Sequence, residues 1–598
     1  MFSHRPAERL VALLSWLAAG LVFAACAAEK PRPRAATPSG RPNFVLIVAD
    51  DLGFSDLGCF GGEIHTPNLD RLAREGVRFT NHYVSVSCSP TRAMLLTGRD
   101  NHVVGMGNMH ERTAPNQQGR PGYEGIMSAD VPTIADALRA HGYHTYMAGK
   151  WHLGHDPRHV PAARGFERSF SMLNSAGSHF DKTGYRVESE QSEFNEDGVY
   201  LDELPGGYYS SKTYTDKLIA NIGANVDDGR PFFAYLAFQA PHDPLQVPDD
   251  WLRRYKTRYD AGWADTREQR LQRMKDLGLV APAARLAEQL WFVPGWDRLT
   301  GMAQVVMARK MEIYAAMVEY LDMQVGRLVA ALEANGLAEN TYIVFLSDNG
   351  PESSDFVAQA KERPNSTGAN FVAQNYRTDF AAWGRRDSYV AYGEPWAQVS
   401  ATPFYMFKGA MYEGGIRSPL IVWHAGMAAG GRIDGDSITH VSDVAPTLLD
   451  LAGIERSALL GEGQGETQTG RSWRPLLEHG GPTQEFAERG VALEMWGCRA
   501  YREGRWKITW MHRPFGIDDW QLYDVVADPG ERDDLSRLHP ERRQRMIAAW
   551  DAYAAANNVI LPDRTEYDGL EERLPPRPPV ESVGWPPGQE PNWTGREK

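Results

Sequence analysis

Residues 44–49 read FVLIVA, an unbroken apolar run that ends on two acids, Asp50 and Asp51. A run of that length without alternation predicts a strand covered on both faces. The next stretch predicts a helix. Thr66 stands at the N-cap, Pro67 at the first helical position, Leu69 and Leu72 on one face, and Gly76 just past the end. Residues 77–84 then read as a strand. The unit recurs: Asp130 or Thr133 can cap a helix carrying Ile134 and Leu138, Gly142 ends it, and 143–148 is strand-like. Three further apolar runs lie at 232–238, 342–346 and 420–422. Between them, 302–335 carries Tyr314, Met317, Leu321, Val325, Leu328 and Leu332 at helical spacing, with Gly336 beyond. Strands alternating with helices predict an α/β domain around a large mixed, mostly parallel sheet flanked by helices.

Residues 251–300 are polar, rich in Arg and Trp, and carry no strand pattern; they read as a helical insertion near the mouth of a site. Another helix begins at 443–450. Beyond about residue 480 the pattern changes: 506–510 and 521–524 are short strands, and a helix over 540–556 puts Met546, Trp550 and Tyr553 on one face. This divides the chain into a main domain over 42–480, a small C-terminal α+β domain over 481–574 and an extended Pro-rich tail over 575–598. No repeat of solenoid period is present.

The amino-terminal segment is of another kind. His4, Arg5 and Arg9 are basic, and residues 10–25 are apolar and uncharged. That run is short for a membrane span and ends in small residues, which predicts an export signal over 1–26. Residues 27–41, rich in Pro, Arg and Ala, then form a linker. The string LVFAAC resembles a bacterial lipoprotein processing site with Cys26 as the lipidated residue, although Phe23 stands where leucine is usual. Cleavage at an Ala-x-Ala site and simple secretion is the other reading. Either way the chain is expected to be exported, periplasmic or outer-membrane-associated, touching membrane only through a lipid at Cys26.

Composition narrows the partners. With 598 residues, 42% hydrophobic and 23% charged, the chain is an ordinary globular protein. A formal net charge of -14 argues against nucleic acid, which needs a basic footprint. An anionic substrate would need a local cationic pocket working against that overall field. The four cysteines, Cys26, Cys59, Cys88 and Cys498, do not make a disulfide scaffold, though one pair could bridge.

Five small sets of residues follow strand signals, and in a parallel sheet the carboxyl ends of strands converge on ligands. Asp50 and Asp51 are one; adjacent acids there are either a solvated turn or cation ligands. Ser347-Asp348-Asn349-Gly350 is the second, an Asx turn or a second source of hard oxygen ligands. Two such sites favour one shared ion, and oxygen donors without a Cys/His cluster favour calcium or magnesium over zinc. The third set is Cys88-Ser-Pro-Thr-Arg92, a buried thiol at a helix start, or an anion site in which helix N–H groups and a guanidinium point one way. The fourth is Lys150 and His152, two apart on an extended segment and so facing the same side. His242 after Pro241, with Lys408, makes the fifth.

Cys88-x-Pro-x-Arg92 with the trailing Thr97-Gly98-Arg99 resembles the signature of type I sulfatases, and the other four sets match that family in its order. The run from Cys88 to Met109 is most similar to bacterial arylsulfatases, and the resemblance extends from Asn43 to at least Leu535. It implies an alkaline phosphatase-like fold and hydrolysis of a small-molecule or sugar sulfate ester. It also implies that a formylglycine-generating enzyme oxidises Cys88 to an aldehyde. Asp50, Asp51, Asp348, Asn349 and the modified residue 88 would hold one divalent cation, by resemblance calcium, with magnesium the alternative. One hydroxyl of the hydrated aldehyde would attack sulfur and form a sulfo-enzyme. Arg92, Lys150 and Lys408 would neutralise the sulfate oxygens. His242, alone or together with Lys408, would protonate the leaving oxygen, and His152 would take the proton that expels sulfate.

The nearest rival is a phosphate or phosphonate ester hydrolase of the same superfamily. Its two-metal phosphatases place histidine where this chain has Asn349, which favours a single ion here. A more distant rival is an inactive lipoprotein that captures sulfated glycans; it would be expected to have lost one of Cys88, Lys150, His152 or His242, all of which are present.

Overall fold

The computed structural model describes residues 40–575, except 187–188, 363–366, 428–429, 461–469, 566 and 571–573. The expected export signal with Cys26, the expected linker up to residue 39 and the tail after Pro575 lie outside the described residues.

In chain order the strands begin with β1 (Asn43–Asp50), β2 (Val77–Tyr83), β3 (His144–Lys150) and β4 (Arg168–Met172). A separate hairpin follows, β5 (Thr183–Arg186) with β6 (Ser189–Gln191), then β7 (Phe194–Glu196) and β8 (Val199–Tyr200). Next come β9 (Phe232–Pro241), β10 (Thr341–Ser347), β11 (Arg417–Trp423), β12 (Arg432–Asp434) and β13 (Thr439–His440). Eleven of these form one sheet in the order β12-β2-β11-β10-β1-β9-β3-β4-β7-β8, with β13 beside β2. The heart of it is parallel: β1 pairs with β10 and β9, and β3 with β9 and β4. β11 runs antiparallel to both β10 and β2, which makes the sheet mixed.

The unbroken apolar run of β1 has its reason in the layers. Val45, Ile47 and Ala49 belong to one buried cluster, together with Met317, Leu321 and Val325 of the helix Gly301–Ala334. Phe44, Leu46 and Val48 point the other way, into a cluster with Met94 and Leu95 of the helix Cys88–Thr97 and Ile134 and Leu138 of the helix Ile134–Ala140. Both faces are covered, so alternation has nothing to report. Register then sets the site. Ala49 is paired with Ser347 and Asp50 with Pro241, so the carboxyl ends of β1, β10 and β9 lie side by side.

Some local details differ from the sequence reading. Thr66 holds the N-cap position with Pro67 after it, as expected, but its side chain makes no capping bond; its hydroxyl donates to Asp70 Oδ1 at 3.1 Å and accepts from Gly58 N–H at 2.9 Å. Residues 251–300 hold one α-helix, Gly262–Asp276, and a single 3-10 turn, Trp296–Arg298. Arg270 on that helix is fully buried against Asp56 and Glu63. Cys59, Cys88 and Cys498 are free thiols. Among the described residues, no helix is long and apolar enough to cross a membrane.

Toward the carboxyl end, β14 (Gly490–Met495), β15 (Cys498–Glu503), β16 (Trp506–Trp510) and β17 (Trp520–Asp524) make an antiparallel sheet. One face packs Ile508 and Leu522 against Met546, Trp550 and Tyr553 of the helix Pro540–Ala556. The other face sends Leu493, Met495 and Cys498 into the main cluster.

Candidate active site

Asp50 ends β1, and Asp51 turns left-handed, with φ 64. That turn breaks the strand's two-sided alternation and sends both carboxylates into one pocket. Lys150 Nζ donates to Asp50 Oδ1 and Oδ2 at 2.9 and 2.7 Å. Lys408 Nζ does the same to Asp51, at 2.8 and 3.0 Å. From the end of β10, Asp348 Oδ1 accepts the Asp51 N–H at 3.1 Å.

Cys88 opens a helix in which every residue is buried, with Ser87 as extended N-cap. Its sulfur lies 3.4 Å from Lys408 Nζ and 3.8 Å from Asp51 Oδ1. One turn on, Arg92 gives Nε and Nη2 to Asp348 Oδ2 and Nη1 to the Lys150 carbonyl at 3.0 Å. From the end of β9, His242 places Nε2 3.3 Å from Asp51 Oδ2. Nine residues from six distant stretches thus meet: Asp50, Asp51, Cys88, Arg92, Lys150, His242, Asp348, Asn349 and Lys408.

His152 is reached differently from the sequence reading. It does not continue an extended segment from Lys150: its φ is 57, and its N–H bonds to the Leu173 carbonyl at 3.2 Å. Its Nδ1 is buried without a hydrogen-bond partner. Glu352, three residues past Asn349, was not singled out by sequence. It forms an ion pair with Lys408 at 3.2 Å and accepts the Ser353 and Ser354 N–H groups. A further acid so close behind the Asp348-Asn349 turn was the available signal.

Electrostatics sort these groups. Burial pushes the Asp50 carboxyl up to about 6 despite Lys150. Asp348 is equally buried, but Arg92, Lys150 and Lys408 outweigh burial and hold it near 2. Burial drives the Cys88 thiol well above its usual range, so an unmodified cysteine here is a poor nucleophile. Burial also lowers His152, and the charges of Lys150 and Arg92 add to it, keeping that imidazole neutral. Burial opposes charging of His242 as well, yet Asp51 overrides it and lifts the ring to about 9.

The residues fit a hard cation. Asp50, Asp51, Cys88 and Asp348 each bring a ligand atom within 4.8 Å of the others. Asn349 Nδ2 donates to Asp51 Oδ1 at 2.5 Å, while its Oδ1 is buried with no partner. Rotating that amide would present the orphaned oxygen to an ion held by the carboxylates. Three carboxylates and an amide are hard donors.

Residues 42–454 match the family described as Sulfatase. An uncharacterized sulfatase from Schizosaccharomyces pombe is 37% identical over 541 residues, covering 87% of this chain and 95% of its own length. An arylsulfatase from Klebsiella aerogenes is 38% identical over 423 residues, 69% of this chain and 87% of its own. A solved structure, Ps i-CgsB in complex with k-i-k-neocarrahexaose, superposes with a TM-score of 0.61. It is 23% identical and covers 89% of this chain and 97% of that one, a likeness of fold.

Proposed function

Since the chain belongs to the sulfatase family and so hydrolyses sulfate esters, we propose that it is of the arylsulfatase type, with a nucleophile made from Cys88 by oxidation to formylglycine. The observation that carries this is the setting of Cys88. A plain thiol there is buried and kept protonated, yet it sits 3.4 Å from an ammonium and 3.8 Å from a carboxylate at the centre of the cluster. Such a position suits a residue chemically changed before use. Likeness to the Klebsiella arylsulfatase supports the substrate class, an aryl sulfate.

Formylglycine would supply, as its hydrate, a hydroxyl nucleophile at position 88, and Asp50, Asp51, Asp348 and Asn349 would hold calcium, whose charge would acidify it. The chain's own groups do the rest. Lys150 and Lys408 carry positive charge to where the sulfate oxygens must lie. Arg92 braces Asp348 and the Lys150 carbonyl. His242 Nε2 faces the pocket and delivers a proton to the leaving oxygen. His152, neutral and with a free ring nitrogen, accepts the proton whose removal releases sulfate.

Two measurements on protein co-produced with the maturation enzyme test this. A hydrolysis screen over sulfate, phosphate and phosphonate monoesters should show sulfate esters turned over fastest. Mass spectrometry of the peptide holding residue 88 should show an aldehyde in place of the thiol. Full activity with intact Cys88 sinks the nucleophile assignment; faster phosphonate turnover sinks the substrate class.

A further inference from the structure

The residue after His242 is an acid, Asp243, and it is buried with it. The imidazole Nδ1 lies 2.7 Å from the Asp243 carbonyl oxygen and 3.1 Å from its carboxylate Oδ1. Both are acceptors, so Nδ1 carries a proton and Nε2 is the nitrogen presented to the pocket. The carboxylate is itself held. Tyr185 and Tyr389 both donate to Oδ2, at 2.8 and 2.5 Å, so Oδ1 is left to the imidazole, 3.1 Å from Nδ1. Tyr185 also meets the imidazole edge-on, with centroids 5.6 Å apart. On the far side, His179 Nε2 sits 3.0 Å from the His242 carbonyl oxygen.

We propose that Asp243, clamped by Tyr185 and Tyr389, is the positioning residue for His242: it fixes the ring so that Nε2 is aimed at the departing oxygen. The inference rests on His242 being the proton donor of the proposed function. The physical case is that of a carboxylate behind an acid–base histidine, which fixes tautomer and angle and balances the charge of the protonated ring. Asp51, the other carboxylate against His242, is committed to the cation cluster and cannot serve both ends. A buried carboxylate with two phenol donors on one oxygen has little freedom to turn, and that rigidity passes to the ring. The tyrosines come from elements outside the main sheet. Tyr185 lies on β5 and Tyr389 beyond residue 375, and both belong to a small cluster with Ala176, Phe371 and Tyr376. The aim of the acid is thereby fastened to two segments outside the main sheet.

The test is a double-mutant cycle read on a leaving-group series. kcat and KM are measured on sulfate esters from nitrophenyl to alkyl for wild type, D243A, H242A and D243A/H242A, with Y185F/Y389F as a milder pair. D243A is expected to lower kcat about 10- to 100-fold on alkyl sulfate, a part of what a general acid contributes, with KM nearly unchanged. On nitrophenyl sulfate the loss should stay within about 3-fold, since that oxygen needs little protonation. In the H242A background, D243A should add no more than about 2-fold. Y185F/Y389F should show the same tilt, smaller, and decides the matter if D243A does not fold. Full multiplication of the two losses, or a loss uniform across the series, overturns the proposal. A flat series for H242A itself removes the acid assignment instead, and the two failures are separately visible.

Discussion

Arg92 lays two of its nitrogens on one oxygen of Asp348, Nε at 3.0 Å and Nη2 at 2.7 Å, and neither side chain reaches solvent. Removing one partner of such a pair strands a buried charge, at about 3–5 kcal/mol. R92A should therefore lose about that much unfolding free energy in urea, with R92K losing less because the charge stays and only the fork is gone. A loss under about 1 kcal/mol would show that the pair does not brace the site.

The acidic cluster should hold one calcium per chain, with magnesium weaker and no requirement for zinc. Elemental analysis gives the count, and a strong chelator should remove both activity and part of the stability. Calcium at about one hundred times its dissociation constant should restore roughly 2.7 kcal/mol, seen as a rise in melting temperature. Two tightly bound zinc ions would contradict the one-ion site.

H242A should spare good leaving groups and punish poor ones. A loss of about 10²–10⁴-fold is expected on alkyl sulfates and under about 10-fold on nitrophenyl sulfate. An equal loss across the series would transfer the proton to Lys408, which also faces Cys88.

His102 gives a pH dependence away from the chemistry. Its Nδ1 is 2.8 Å from Asp100 Oδ1 and its Nε2 2.8 Å from Glu494 Oε2, tying the loop after the Cys88 helix to β14. Burial works against the charged ring, but Asp100 and Glu494 outweigh it and raise it from 6.5 to about 9. A raised histidine contributes stability that is whole below pH 6.5 and fades as pH climbs through 9. Unfolding free energy should fall over that window, by up to about 3 kcal/mol from this ring, and H102Q should remove that share while leaving the share of His242. A wild-type curve unchanged between those values would refute the charged pairing.

The amino-terminal reading is tested by fractionation. If Cys26 is lipidated, wild type partitions with membranes and C26S is released. A mature chain beginning beyond residue 26 decides for simple secretion.

Much of this was legible because the physics was local. The covered runs of β1, β9 and β10 announced themselves by lack of alternation, and the acids at the ends of β1 and β10 stood out against it. Other features depend on contacts that no window of sequence contains. The β14–β15 hairpin turns on Trp496 and Gly497, at φ 58 and 82, and tryptophan gives no turn signal. β11 reads like any buried strand, and its antiparallel direction is set by its neighbours. Glu352 was passed over in the sequence, and its partner Lys408 lies 56 positions on. Asp243 is informative only once Tyr185 and Tyr389 are beside it.

The left-handed turn at Asp51 has a consequence for how labour is divided along the sheet. A regular strand end shows a ligand one side chain at a time, so four donors would ordinarily occupy several strand ends. Here the kink lets β1 supply two, and the turn after β10 supplies two more. The neighbouring ends of β3 and β9 are left to hold Lys150 and His242. Anchoring and chemistry therefore sit on separate strands, and they are joined only through side chains, Lys150 on Asp50 and His242 against Asp51.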